Sequence, residues 1–268
     1  NCLSTPPSAC EDFNTLNFGG RREDGTPPYR LGDQDLSLFF GQSSFSQYVV
    51  TRASNAVVVD PEVDLTLLGP LGCGIQTGSG TVLNRLKPVV GESLVVFGCG
   101  AVGLSAIMAA KLTGCSQIIA VDIHASRLAL AGELGATHQI NGKEQDAVAV
   151  IKQITGKGAH YAVETTGVSA IVLQAVHAVK PLGTVAIVGF TGDITLNVQN
   201  DLMAEGKSLV GVIEGDAVPA LFIPLLVQLY KQGKFPIDKL IARYPLADIN
   251  QAFADSASGK VIKPVVVM

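Results

Sequence analysis

Residues 98–103 read Gly98-Cys99-Gly100-Ala101-Val102-Gly103, a G-x-G-x-x-G run. In a chain with 29 glycines the run is a weak signal taken alone, and its surroundings give it meaning. It follows the apolar stretch SLVVF (93–97), opens a helical stretch, and precedes a second apolar run that ends in Asp122, 19 residues beyond Gly103. Glycines at 98, 100 and 103 let the backbone turn tightly and approach a pyrophosphate, which then sits at the positive end of the helix. Asp122, at the tip of the second strand, accepts hydrogen bonds from both hydroxyls of an adenosine ribose, and the same carboxylate repels a 2′-phosphate. The chemistry expected is binding of NAD in preference to NADP, with Arg127, five residues on, packed along the ribose. The competing reading is a purely structural glycine turn between strand and helix.

The second set of candidates is the cysteines. Five of them (2, 10, 73, 99 and 115) form an odd number at irregular spacing, which does not suggest a secreted disulfide framework. Cys73 stands in GPLGCGIQTGSG just ahead of a probable helix, and by itself reads as a small buried hydrophobe. Cys99 and Cys115 read the same way, and Cys2 and Cys10 lie eight apart in a Pro-rich loop. Catalytic zinc takes three protein ligands plus water and structural zinc four. The histidines at 124, 138, 160 and 177 each admit an ordinary core or surface role, so residue types alone do not assemble a metal site.

These groups need elements to position them. From about residue 74 to 213, short β-branched runs alternate with helical stretches. The expected strands are 93–97, 117–122, 160–164, 184–188 and 208–213, and the expected helices are 101–113, 126–134, 146–154 and 168–179, several of them stopped by glycine. Continuous rather than alternating apolar runs are the mark of strands buried on both faces. The fold class expected is therefore α/β, a doubly wound parallel sheet of Rossmann type. Residues 1 to about 50 are rich in Pro, Gly and Asn, with strands expected only around FSQYVV and NAVVV. After Glu214 the chain reads as a helix near 222–232, a loop, a short helix and a closing strand, IKPVVVM.

Composition bounds the function. The chain has 268 residues, 47% hydrophobic and 16% charged, against about 25% charged in a typical globular domain, which is too apolar for disorder. A net charge of −4, with 19 scattered Lys and Arg, gives no basic field for a nucleic acid. Residues 94–110 carry no charge and approach the length of a membrane span, but three glycines in the first half argue for strand, turn and helix instead.

Several segments together resemble the zinc-dependent medium-chain alcohol dehydrogenases: GPLGCGIQTGSGTVLN, VFGCGAVGLSA, AVDIHASRLALAGELGATHQIN and GKVIKPVVVM. CEDFNTLNFGGRR, FFGQSSF, ETTG, EGDAVPALFIP and GKFPIDKLI look most like the aryl-alcohol (benzyl alcohol) branch. The resemblance implies NAD and zinc as cofactors, with Cys73 a catalytic zinc ligand and Cys2 and Cys10 two of the four structural ones. It implies that Thr77 lines the nicotinamide and that Val102 donates a backbone N–H to the pyrophosphate. Thr165 and Thr166 would border the cofactor, Val188 and Gly189 would flank the nicotinamide edge, and Lys263 would lie near the pyrophosphate. Phe39, Phe40 and Phe45 could line an aromatic pocket.

The same resemblance implies a cytoplasmic enzyme that oxidises a small alcohol to an aldehyde, as a homodimer or homotetramer, without nucleic acid or membrane. It divides the chain into part of a mainly β, GroES-like catalytic domain (1–73), a nucleotide-binding domain (74–213) and the end of the catalytic domain (214–268). In the family the first catalytic Cys, the His, the proton-relay residue and two structural Cys precede the part that matches here. On ordinary domain arithmetic that preceding part is about 100 residues, and the expectation is a truncated and inactive dehydrogenase. Two other readings are a zinc-free quinone or enoyl reductase of the same superfamily and a non-catalytic nucleotide-binding remnant.

Overall fold

In the computed structural model, which describes residues 6–40 and 45–268, a six-stranded parallel sheet organises the chain. Ahead of it lie α1 (Phe13–Phe18), the hairpin of β1 (Tyr29–Leu31) and β2 (Gln34–Leu36), and α2 (Gly74–Gly80). The sheet is then built in alternation from β3 (Ser93–Phe97), α3 (Ala101–Thr113), β4 (Gln117–Asp122), α4 (Ala125–Leu134), β5 (His138–Asn141), α5 (Ala147–Thr155), β6 (Ala159–Glu164), α6 (Ser169–Ala178), β7 (Val179–Ile187) and β8 (Ser208–Gly211). Then come α7 (Pro219–Lys231), β9 (Ile241–Pro245), α8 (Ile249–Ala257) and β10 (Lys263–Val267), with β9 and β10 in a separate parallel pair. The order β5-β4-β3-β6-β7-β8 reverses between β3 and β6, which makes that junction the topological switch point of a Rossmann sheet. The uncharged stretch 94–110 is strand, turn and helix, and no helix of the described residues is long and apolar enough to cross a membrane.

The apolar runs divide by residue parity. Leu94, Val96, Ile118 and Ala120 face a core shared with α2, α3, α4 and α7, while Val95, Phe97, Ile119 and Val121 face a second core with α5 and α6. Helix ends follow local rules: Asp146 caps α5 by accepting from Ala149 N at 3.1 Å, and Gly114 (φ 79) and Gly135 (φ 132) end α3 and α4. Helix α3 is buried through most of its length because α2 lies directly on it. A Cβ on Gly78 would overlap the carbonyl oxygen of Val102, so the two helices cross with backbone against backbone.

Four expectations change. Strand β5 was not expected: HQIN is short and polar, and pairing with β4 rather than its own pattern makes it a strand. The expected strands around FSQYVV and NAVVV are absent among the described residues. Tyr48, Val50 and Val58 are 90%, 93% and 91% exposed, and no described segment offers this stretch a ladder to join. Strand β7 begins at Val179 rather than at 184, and β8 ends at Gly211 because the chain turns into a left-handed conformation at Glu214. The three phenylalanines do not form one group: Phe39 and Phe40 stack with Phe18, and Phe45 meets Phe253.

Two measurements test this packing. Gly78→Ala should cost on the order of 3 kcal/mol, read by chemical denaturation, because neither backbone can retreat; an unchanged midpoint would contradict the crossing. At the other end of the sheet, the ring Nδ1 of His160 accepts from Ser93 N at 3.2 Å and faces Ser93 Oγ at 2.8 Å. Burial, aided by Lys180, lowers the pKa of His160 below its usual value, against an opposing pull from Glu92. The neutral ring is therefore the native form above that lowered pKa, and its stabilisation is present in full above the unfolded pKa of about 6.5 and lost progressively as pH falls from there through the lowered folded value. The melting temperature should drop on acidification from pH 7 to 5.5, and His160→Asn should flatten that part of the curve.

Candidate active site

The crevice opens where β3 turns into α3. Gly98 (φ 90) makes the turn and donates its N–H to Val121 O at 2.8 Å. A Cβ on Gly98 would stand 2.6 Å from Thr165 Oγ1, and one on Gly103 would overlap the carbonyl oxygen of Gly98, so the protein's own packing requires both glycines. Gly100 differs. Its φ is −78, and an added Cβ would meet nothing within 4 Å. It forms the N-cap of α3 without a side-chain cap, and the first-turn N–H groups of the helix, Val102 among them, have no intrahelical acceptor. An open face over unpaired donors at a helix N-terminus is a cradle for a phosphate oxyanion.

Asp122 is held beside this cradle by three backbone donors. Its Oδ2 accepts from Cys99 N at 2.6 Å, and its Oδ1 accepts from Ile123 N at 2.7 Å and His124 N at 2.8 Å. The carboxylate is 8% exposed and keeps lone-pair capacity beyond those three bonds. Cys99 lies buried beneath the turn, and burial, then the charge of Asp122, drives its thiol pKa far above the usual range. Cys99 is thus packing, as is the half-buried Cys115. Arg127 is placed against Gly259, whose φ of 76 and missing side chain leave room for the guanidinium. Its Nε is buried without an acceptor, a donor still awaiting a partner.

Across the switch point, Thr165 stitches β6 to β3. Its N–H donates to Phe97 O at 3.0 Å, and its hydroxyl to Phe97 O at 2.9 Å and Gly98 O at 3.1 Å. Glu164, fully buried, accepts from Thr166 N at 2.7 Å, from the Thr166 hydroxyl and from Gly167 N. Its main-chain oxygen accepts from Val188 N at 2.9 Å and Gly189 N at 3.1 Å. Gly98, Thr165, Thr166, Val188 and Gly189 therefore come together as one rim. Glu164 was missed at the level of sequence. The signal was an acid at a strand tip in ETTG, but only the fold shows that backbone N–H groups, with no cation, satisfy it.

Cys73 occupies the N-cap of α2, and its carbonyl accepts from Thr77 N at 2.9 Å. Contrary to the reading of Cys73 as a small buried hydrophobe, the residue is exposed, because it stands at the open start of α2; partial desolvation of the thiol, then the charge of Glu214, raises its pKa, with Lys263 opposing. Lys263 stands at the start of β10. The carboxylate of Glu214 accepts from Gln76 Nε2 at 2.9 Å and Thr77 Oγ1 at 3.4 Å. Glu214 also escaped the sequence reading, because EGD resembles an ordinary turn. Cys2 lies outside the described residues and Cys10 is half-buried. Among the described residues no three of His, Cys, Asp and Glu gather closely enough to hold a metal.

Comparison with known proteins places this geometry. Residues 101–231 match the family described as zinc-binding dehydrogenase. Geraniol dehydrogenase of Castellaniella defragrans is 43% identical over 275 positions, covering 100% of this chain and 73% of that protein. Benzyl alcohol dehydrogenase of Acinetobacter calcoaceticus superposes with a TM-score of 0.92 at 47% identity, over 99% of this chain and 73% of that one. An alcohol dehydrogenase zinc-binding domain protein from Burkholderia ambifaria superposes with a TM-score of 0.94 at 48% identity, over 100% and 73% respectively.

The three glycines of the turn separate in a stability assay. Gly103→Ala and Gly98→Ala should each lower the melting temperature by several degrees, and Gly100→Ala should leave it within a degree or so. Equal losses at all three positions would mean that Gly100 also serves the fold.

Proposed function

The chain belongs to the zinc-binding dehydrogenase family, and we propose that it acts as an NAD-dependent dehydrogenase of primary, benzyl-type alcohols, transferring a hydride to the cofactor and yielding the aldehyde. One observation carries the proposal: Gly100 is a glycine that the fold does not need, facing open space over the unpaired N–H groups of α3. A dinucleotide fits these residues. Its pyrophosphate would lie over Gly100 and accept from Val102 N–H, and Asp122 would take the adenosine ribose hydroxyls with its remaining lone pairs. The buried Nε of Arg127 marks a donor that the adenosine end could satisfy. Thr165, Thr166, Val188 and Gly189 would border the cofactor from the rim, and Thr77 from the α2 side. Bound there, the dinucleotide supplies the hydride acceptor. The protein supplies orientation and excludes water from the crevice.

The alcohol class is supported by the relatives, whose names specify geraniol and benzyl alcohol. The family's zinc fits these residues less well. Cys73 is a suitable soft donor, and we propose it as this chain's contribution to a catalytic zinc, with Cys2 and Cys10 contributing to a structural one. The described residues nonetheless set one thiol beside one carboxylate, short of the three protein ligands a catalytic zinc requires. What these residues do on their own is fix the nicotinamide end of the crevice.

Calorimetry should show NADH binding at least tenfold tighter than NADPH, with Gly100→Ala weakening NADH by an order of magnitude or more while the protein stays folded. Asp122→Gly combined with Ile123→Arg should move the preference toward NADPH. A wild-type preference for NADPH would refute the cofactor assignment. In the NADH complex, benzaldehyde should perturb the cofactor fluorescence at lower concentration than acetaldehyde, and the reverse order would remove the aromatic substrate class.

A further inference from the structure

Three consecutive residues, Glu214 (φ 52), Gly215 (φ 66) and Asp216 (φ 48), lie in the left-handed region. Two of the three are not glycine, and such backbone persists only where the surroundings over-determine it. Here they do. A Cβ on Gly215 would overlap the carbonyl oxygen of Gln76 and stand 2.8 Å from Gly80 Cα, so this turn presses directly on α2. Asn84 Nδ2 donates to Gly215 O at 3.0 Å, and Arg85 pairs with Asp216 at 3.4 Å. The outcome is the placement of one carboxylate. Glu214 is turned onto α2 beside Cys73, where Gln76 and Thr77 donate to it, and Gln76 keeps its own Oε1 buried without a partner.

We propose that Glu214 selects the oxidation state of the bound cofactor: a fixed negative charge beside the nicotinamide subsite that holds the oxidised, positively charged ring more firmly than the reduced, neutral one. This rests on the reading in which Thr77, Val188 and Gly189 border the nicotinamide. The two cofactor forms share the adenosine, both riboses and the pyrophosphate and differ in net charge by the one positive charge of the ring. A charge held against Thr77 in a partly desolvated wall acts on that difference, whereas contacts to the shared parts cancel. Lys263 is the cation whose charge opposes that of Glu214 at the Cys73 sulfur. Asp216 is already paired with Arg85, which leaves Glu214 as the carboxylate directed at α2. Once hydride has arrived the ring is neutral and the attraction is gone, so the reduced cofactor is the more readily released.

The experiment is a pair of binding titrations, NAD and NADH, on the wild type, on Glu214→Gln and on the charge control Glu133→Gln on α4, whose carboxylate pairs with Lys239. Glutamine keeps an acceptor oxygen for Gln76 and Thr77 while removing the charge. Glu214→Gln should weaken NAD by about tenfold and leave NADH within about twofold, while Glu133→Gln leaves the ratio of the two affinities unchanged. Equal weakening of both forms, or an unchanged ratio, overturns the proposal. The wild type supplies a second reading that needs no variant: raising salt from about 0.02 to 0.5 M should shift the ratio toward NADH by at least about twofold, and a constant ratio counts against it. Failure of the wild type to bind either form would instead defeat the reading of the crevice on which the proposal rests.

Discussion

Backbone pressed against backbone is the constraint on which the site depends. Where β3 gives way to α3, Gly103 touches the carbonyl of Gly98, and Gly98 in turn leaves no space before Thr165. Two turns of chain and the neighbouring strand tip are locked into one body at the switch point. Gly78 extends that body to α2, because its contact with Val102 sets α2, whose start carries Cys73 and Thr77, against the first turn of α3. The Gly80–Gly215 contact extends it again, to the turn that carries Glu214. The pyrophosphate end and the reacting end of the crevice are therefore not independent lobes. They are linked by a chain of positions at which no methyl group can be inserted.

Three acids line this body, and each takes its hydrogen bonds from neutral donors. Asp122 and Glu164 take backbone N–H groups at the tips of β4 and β6, and Glu214 takes the side chains of α2. A carboxylate satisfied by neutral donors keeps its charge and its position while leaving the surrounding field negative. That suits recognition at both ends of a dinucleotide: ribose hydroxyls on one side, and on the other a ring whose charge changes during the reaction. In the proposed binding mode the phosphates between them would meet neither acid and would be left to the helix terminus. Division of labour along the crevice thus follows from where the fold spends acceptors and where it leaves donors bare.

Much of the sheet was legible from residue types alone. Helix α3 has the boundaries expected from its glycine turn, and β3 and β4 match the apolar runs, because buried parallel strands must be apolar on both faces and their helices must stop at residues that permit a left-handed turn. Asp122 was legible for a related reason, since its spacing from the glycines is set by the length of one helix and one strand. Strand β5 was not, because a polar edge strand owes its conformation to its neighbour. Nor was the exposed stretch on either side of Tyr48, whose β-branched pattern meets no strand among the described residues.

The sequence by itself determined the identity and order of the elements, the glycine turn and the acid beside it, since these depend on separations along the chain of about 25 residues or fewer. Tertiary structure alone decided which glycines the packing requires and which it does not, as Gly103 and Gly100 look identical until their surroundings are known. It also decided that Glu214, 137 residues beyond Thr77, comes to lie against it. A left-handed acidic turn is unfavourable on local grounds and exists only because α2 lies beneath it, so no local pattern could announce it.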